Sequence, residues 1–148
     1  MNRRLFCKVI SVLALFSFGR NAFAAETLGK KEMDELLFVY TDKKPYQKKF
    51  VSIDAPNIAE NGLVVPMKIF VNIKKDDPLF PKKLHLIASK NPFKKICSIT
   101  FSKRNGRAFF ATRVKLARSQ DVIALVELGD GSFVYDTKFV KVTIGGCG

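Results

Sequence analysis

The chain has 148 residues, room for one domain and hardly for two. Its 47% hydrophobic and 26% charged content fits a folded core under a solvated surface and excludes a disordered chain. Lys and Arg number 26 against 13 Asp and Glu, a net charge of +13, and such a surface attracts inorganic anions, acidic proteins or anionic membrane surfaces.

The first 24 residues read as an export signal. Arg3 and Arg4 form a twin-arginine pair, followed by Leu5, Phe6, Cys7 and Lys8. The apolar run from Val9 to Phe18 is too short for an ordinary membrane-spanning helix. Ala22, Phe23 and Ala24 supply a small-x-small cleavage site, with Ala25 as the new N-terminus. Asn2 and Cys7 stand where twin-arginine signals usually carry Ser or Thr and Leu, so the general secretory route is the alternative. Either route gives a periplasmic protein, discards Cys7, argues against nucleic acid as a partner and implies no membrane insertion. Without this segment the charge is about +9.

Residues 25–49 read as a helix and a basic linker. Met33, Leu36, Leu37 and Tyr40 recur at helical spacing within Lys30–Tyr40, and Pro45 lies beyond the end. Lys43, Lys44, Lys48 and Lys49 read as a solvated connection. From Phe50 the apolar period becomes two. The predicted strands are Phe50–Ile53, Leu63–Val71, Leu84–Ala88, Ile96–Phe101, Arg107–Leu116, Asp121–Leu128 and Ser132–Ile144. Asn105-Gly106 and Asp130-Gly131 are predicted hairpin turns. Pro66 makes its strand an edge or a bulge. About seven short strands without intervening helices predict an all-β, immunoglobulin-like antiparallel sandwich over residues 50–144.

Residues able to do chemistry are few. His85 is the only histidine, and its place in an alternating strand predicts a structural role. Two cysteines and one histidine in the mature chain match no zinc spacing, and no phosphate-binding glycine loop is present. No cofactor is expected. Cys97 alternates with Ile99 and Phe101, which predicts a buried thiol of low reactivity.

Cys147 differs. It is penultimate, among Gly145, Gly146 and Gly148, which predicts a flexible arm over residues 145–148. Three residues beyond Ile144 extend on the order of 10 Å. A catalytic cysteine needs a fixed base and a shaped pocket, and such an arm supplies neither. The spacing therefore favours a thiol that carries cargo over one that catalyses. Two other readings stand beside it: a permanent intermolecular disulfide through Cys147, and a thiol–disulfide oxidoreductase. The second lacks a Cys-x-x-Cys motif.

Five segments carry a resemblance. They are Val142 to Gly148, Ala55 to Pro66 (APNIAENGLVVP), His85 to Pro92 (HLIASKNP), Thr112 to Gln120 (TRVKLARSQ) and Asp130 to Phe133 (DGSF). Together they resemble the SoxY family, the sulfur carriers of periplasmic thiosulfate oxidation. The resemblance implies an immunoglobulin-like sandwich paired with a small β subunit, SoxZ. It implies that Cys147 is the covalent attachment site, with Gly145, Gly146 and Gly148 as the arm. It also implies three enzymes acting on that cysteine: a c-type haem enzyme that attaches thiosulfate, a dimanganese hydrolase that releases sulfate, and a molybdenum sulfane dehydrogenase. Two features depart from the family pattern. Only Gly148 follows the cysteine, where the family usually has two glycines, so a terminal carboxylate next to it disfavours the thiolate. Cys97 is not part of the pattern, and an opened fold would let it form a disulfide with Cys147.

Overall fold

Alternating apolar residues require a partner layer on each buried strand face, and here two sheets and a helix supply it. The computed structural model describes residues 27–145. Its elements in chain order are α1 (Lys30–Thr41), β1 (Tyr46–Lys48), β2 (Val51–Asp54), β3 (Ile58–Asn61), β4 (Val65–Val71), β5 (Lys83–Ala88), β6 (Lys95–Thr100), a 3-10 turn (Lys103–Asn105), β7 (Phe109–Val114), β8 (Gln120–Glu127) and β9 (Phe133–Ile144). The larger sheet runs β1-β9-β8-β5-β6, with β3 also paired to β9; the smaller runs β2-β4-β7.

β8 explains why the helix is needed. Gln120–Asp121 and Val122–Val126 are all buried. Val122, Ala124 and Val126 join Leu84, Leu86, Val65, Met67 and Ile69 in the core between the sheets. Ile123 and Leu125 point to the opposite face, where Met33, Leu37, Ile87 and Phe133 cover them. A strand apolar on both faces needs cover on both, and α1 provides the second cover. Each fully buried Leu contributes about 1.5–3 kcal/mol. Helix ends are tied locally. Glu32 Oε2 accepts from the Gly29 N–H at 3.0 Å, satisfying a helix-start donor. Asp42 takes a left-handed φ of 51° at the other end. The Leu28 N–H donates to Asp121 Oδ2 at 2.7 Å, and the Tyr46 hydroxyl donates to Asp34 Oδ1.

The predicted helix and seven strands are present, within two residues at most boundaries. The two-sheet sandwich is as expected, with differences in detail. It is not wholly antiparallel: β1 and β3 run parallel to β9. Both are too short to show a period, and β1 lies inside the segment read as a basic linker, whose lysines are nevertheless exposed. Asp130-Gly131 makes the expected hairpin between β8 and β9, with Gly131 at φ 80°. Asn105-Gly106 does not make one. The flanking strands pair elsewhere, β6 with β5 and β7 with β4, so this turn crosses between sheets. Their inner faces belong to opposite layers of one core. Pro66 lies in the central strand of the small sheet, yet β2 pairs only with Lys68–Val71. At Pro66 the strand is locally an edge, where a missing N–H costs nothing.

Candidate functional site at the base of the C-terminal tail

Arg3, Arg4, Gly146, Cys147 and Gly148 lie outside the described residues, as does the expected cleavage site. Gly145 is described, and so is everything that holds it. After Val140, β9 leaves β8 and continues beside β3, with Lys141 opposite Ile58, Val142 opposite Ala59 and Ile144 opposite Asn61. The Gly62 N–H donates to the Ile144 carbonyl at 2.8 Å, and the Leu116 N–H donates to the Gly62 carbonyl at 2.7 Å. Ser119 Oγ accepts from the Val142 N–H at 2.9 Å. Thr143 Oγ1 donates to the Glu60 carbonyl at 2.9 Å.

Beneath this end lies a polar network built from Asn91 and Gln120. Asn91 Oδ1 accepts from the Ala117 N–H at 2.9 Å and from Gln120 Nε2 at 2.8 Å. Asn91 Nδ2 donates to the Lys115 carbonyl at 2.9 Å. Gln120 is fully buried; its Nε2 also reaches the Arg118 carbonyl at 3.1 Å and its Oε1 accepts from the Lys90 N–H at 2.6 Å. A buried amide satisfied at both ends fixes its neighbours. Here it fixes segment 115–118, which lies against Gly145.

The surface around the tail base is mixed. Ile144 is 68% exposed, Ile58 57%, Val64 55% and Leu63 44%. Lys115, Arg118 and Lys141 are exposed at the same end. Grouped apolar exposure marks a contact surface, and the cations favour anions.

Cys97 is remote from this site. It sits on the edge strand β6, opposite Leu86, half-buried rather than fully buried as alternation suggests. β6 has a neighbour on one side only, which leaves its inner face partly open. Burial raises its thiol pKa, in the direction of the expected low reactivity. Through β5 and β8, Cys97 is level with Asp136 of β9. The chain to Gly145 continues past Val140, where β9 leaves β8 for β3. Cys97 is not among the residues that hold Gly145.

His85 is half-buried on β5. Its Nδ1 lies 2.9 Å from Ser98 Oγ, and its ring packs on Tyr40 of α1 at 5.5 Å. Desolvation, helped by Lys83 and Lys95, lowers its pKa. These are the contacts of a structural histidine. Among the described residues no His, Cys, Asp and Glu side chains cluster as a metal site, and no helix is long and apolar enough to cross a membrane.

The sequence reading placed Cys147 and its glycines but assigned no part to Asn91, Ser119 or Gln120. They stand in the segments that resemble the SoxY family, and the fold brings those segments together: Ala59 to Gly62, Lys90 to Asn91, Lys115 to Gln120 and Val142 to Gly145 meet at the tail base.

Fold and site together define a helix-covered, two-sheet β-sandwich whose last strand is held to its end as the base of a C-terminal tail. The model of the family of sulfur oxidation protein SoxY matches residues 38–147, and the chain belongs to that family. The sulfur carrier protein SoxY from Chlorobium limicola f thiosulfatophilum is similar in structure, with a TM-score of 0.62 and 21% identity over 76% of this chain and 92% of that one. A superoxide reductase (neelaredoxin) from Ignicoccus hospitalis is similar with a TM-score of 0.52 and 15% identity, over 64% of this chain and 80% of that one. At these identities the likeness is one of fold. No curated protein matches the chain.

Proposed function

We propose that this protein is a periplasmic sulfur carrier that holds thiosulfate-derived sulfur on Cys147 and presents it to partner enzymes, without catalysing a step itself. The observation that carries the reading is the family match, which extends through residue 147 and so takes in the cysteine. In the proposed cycle the Cys147 thiolate and thiosulfate join through a new S–S bond. Two electrons leave to the c-type haem enzyme. Water then cleaves the terminal S–S bond at the dimanganese hydrolase, releasing sulfate and two protons and leaving a persulfide on Cys147. A molybdenum sulfane dehydrogenase then oxidises the outer sulfur with oxygen from three waters, taking up six electrons, releasing six protons and leaving an S-sulfonate on Cys147, and water cleaves its S–S bond to release a second sulfate and return the thiol. A SoxZ-like subunit pairs with the chain. Arg3 and Arg4 belong to the cleaved export signal, and Gly145, Gly146 and Gly148 form the arm.

The surroundings support this reading. Lys115, Arg118 and Lys141 suit an anionic cargo, and exposed Ile58, Leu63, Val64 and Ile144 suit visiting proteins. Cys97, with its raised pKa and edge-strand position, competes poorly for the cargo. Intact-mass spectra of protein from thiosulfate-grown cells are the test. Sulfur and thiosulfonate adducts are expected in wild type and in Cys97→Ser, and absent in Cys147→Ser. Adducts confined to Cys97 would sink the reading.

A further inference from the structure

A glycine near the end of a strand invites one explanation, backbone freedom. Gly145 asks for another. Its φ is not in the left-handed region, so no turn requires a glycine there. A methyl group at this position would instead run into the carbonyl oxygen of Ala117. Gly145 is a residue of close approach: only a hydrogen in place of a side chain lets the two backbones meet.

The carbonyl it meets is itself held. The N–H of the same residue, Ala117, is bonded to Asn91 Oδ1, and the carbonyls of Lys115, two residues before it, and Arg118, the next, accept from Asn91 Nδ2 and Gln120 Nε2. The residue before Gly145 is held as well, by the Gly62 N–H on the Ile144 carbonyl. Ile144 is largely exposed, so burial of its side chain does not anchor the strand end. Directional bonds and steric fit do.

We propose that Gly145 is the fixed anchor of the carrier arm, not its first moving joint, and that Asn91 and Gln120 are the positioning residues that set this anchor. Two residues of chain place the Cys147 Cα no more than about 7 Å from that of Gly145. An enzyme acting on the thiol must therefore come to the tail base, because the arm is too short to cross any large gap. The arm rests on the carrier reading, but the anchor itself is a property of the folded chain.

The test is amide relaxation and hydrogen exchange on the mature protein. In wild type, Gly145 is expected to show the heteronuclear NOE of the β9 body, with the fall beginning after it. Gly145→Ala should speed exchange of the Gly62 and Leu116 amides by about 10-fold or more, while Gly146→Ala leaves them unchanged. Asn91→Asp, which loses the donor to Lys115, and Gln120→Met should lower the NOE of Gly145 while the Leu125 amide in β8 stays protected. A purely structural role for the pair would instead weaken Leu125 and Gly145 together. The inference is overturned if wild-type Gly145 is as mobile as a free chain end, or if both variants leave Gly145 unchanged. The wild-type measurement decides even where a variant fails to fold. It also uses no cargo, so loss of the cysteine adducts would end the carrier reading and leave this result standing.

Discussion

The two ends of β9 are held by different forces. At its start, Phe133 and Val134 are buried, and Phe133 joins Met33, Leu37, Ile87, Ile123 and Leu125 under α1. Past Val140, residues 141 and 143–145 are exposed, and the strand is kept in place by Asn61, Gly62, Ser119 and Thr143. Burial is non-directional and gives stability. Hydrogen bonds add little net energy, but they fix distance and angle. A strand end with little apolar burial depends on the second kind of support more than the first.

The largest effect should come from the buried end. Leu125→Ala removes a fully buried side chain beneath the helix and should cost about 2–5 kcal/mol, read from urea unfolding. Its Cys147 chemistry should be unchanged while the protein is folded. A loss of Cys147 labelling in that folded variant would break the division between the two ends.

A smaller effect tests how far the tail end is confined. In native buffer no Cys97–Cys147 disulfide should form under mild oxidation, and iodoacetamide should modify Cys97 more slowly than in urea. Peptide mapping reads both. A native Cys97–Cys147 bridge would count against any anchor at Gly145, because Cys97 is not among the residues that hold it.

The smallest effect comes from His85, which packs against Tyr40 on the helix-covered side. Its folded pKa lies below the unfolded value of 6.5. Between the two values the unfolded chain binds the proton and the native one does not, so stability rises with pH there. The contribution is fully present above about pH 6.5 and is lost as pH falls through the folded pKa. Urea midpoints followed from pH 7.5 to pH 5 should drop less in His85→Gln than in wild type. Equal slopes would remove His85 as the cause.

How much of this was legible beforehand depends on the range of the interaction. The i, i+3, i+4 pattern of Met33, Leu36, Leu37 and Tyr40 announces α1, and Asp130-Gly131 announces its hairpin, because both are local. β1 and β3 were not legible: three and four residues show no period, and their pairing is with a strand far along the chain. Asn105-Gly106 looked like a hairpin because a turn signal does not say whether the flanking strands join the same sheet.

The tail shows the same division. From the sequence alone came Cys147, its glycine neighbours and, through the family segments, the sulfur chemistry. These are matters of residue identity and order along the chain. Only the tertiary structure gave Gly145 a fixed neighbour in Ala117, put Asn91 and Gln120 beneath it, and put Cys97 on an edge strand apart from them. The physical reason is that a missing Cβ means freedom where nothing is near and close contact where a backbone is, and what lies near a residue is decided by the fold.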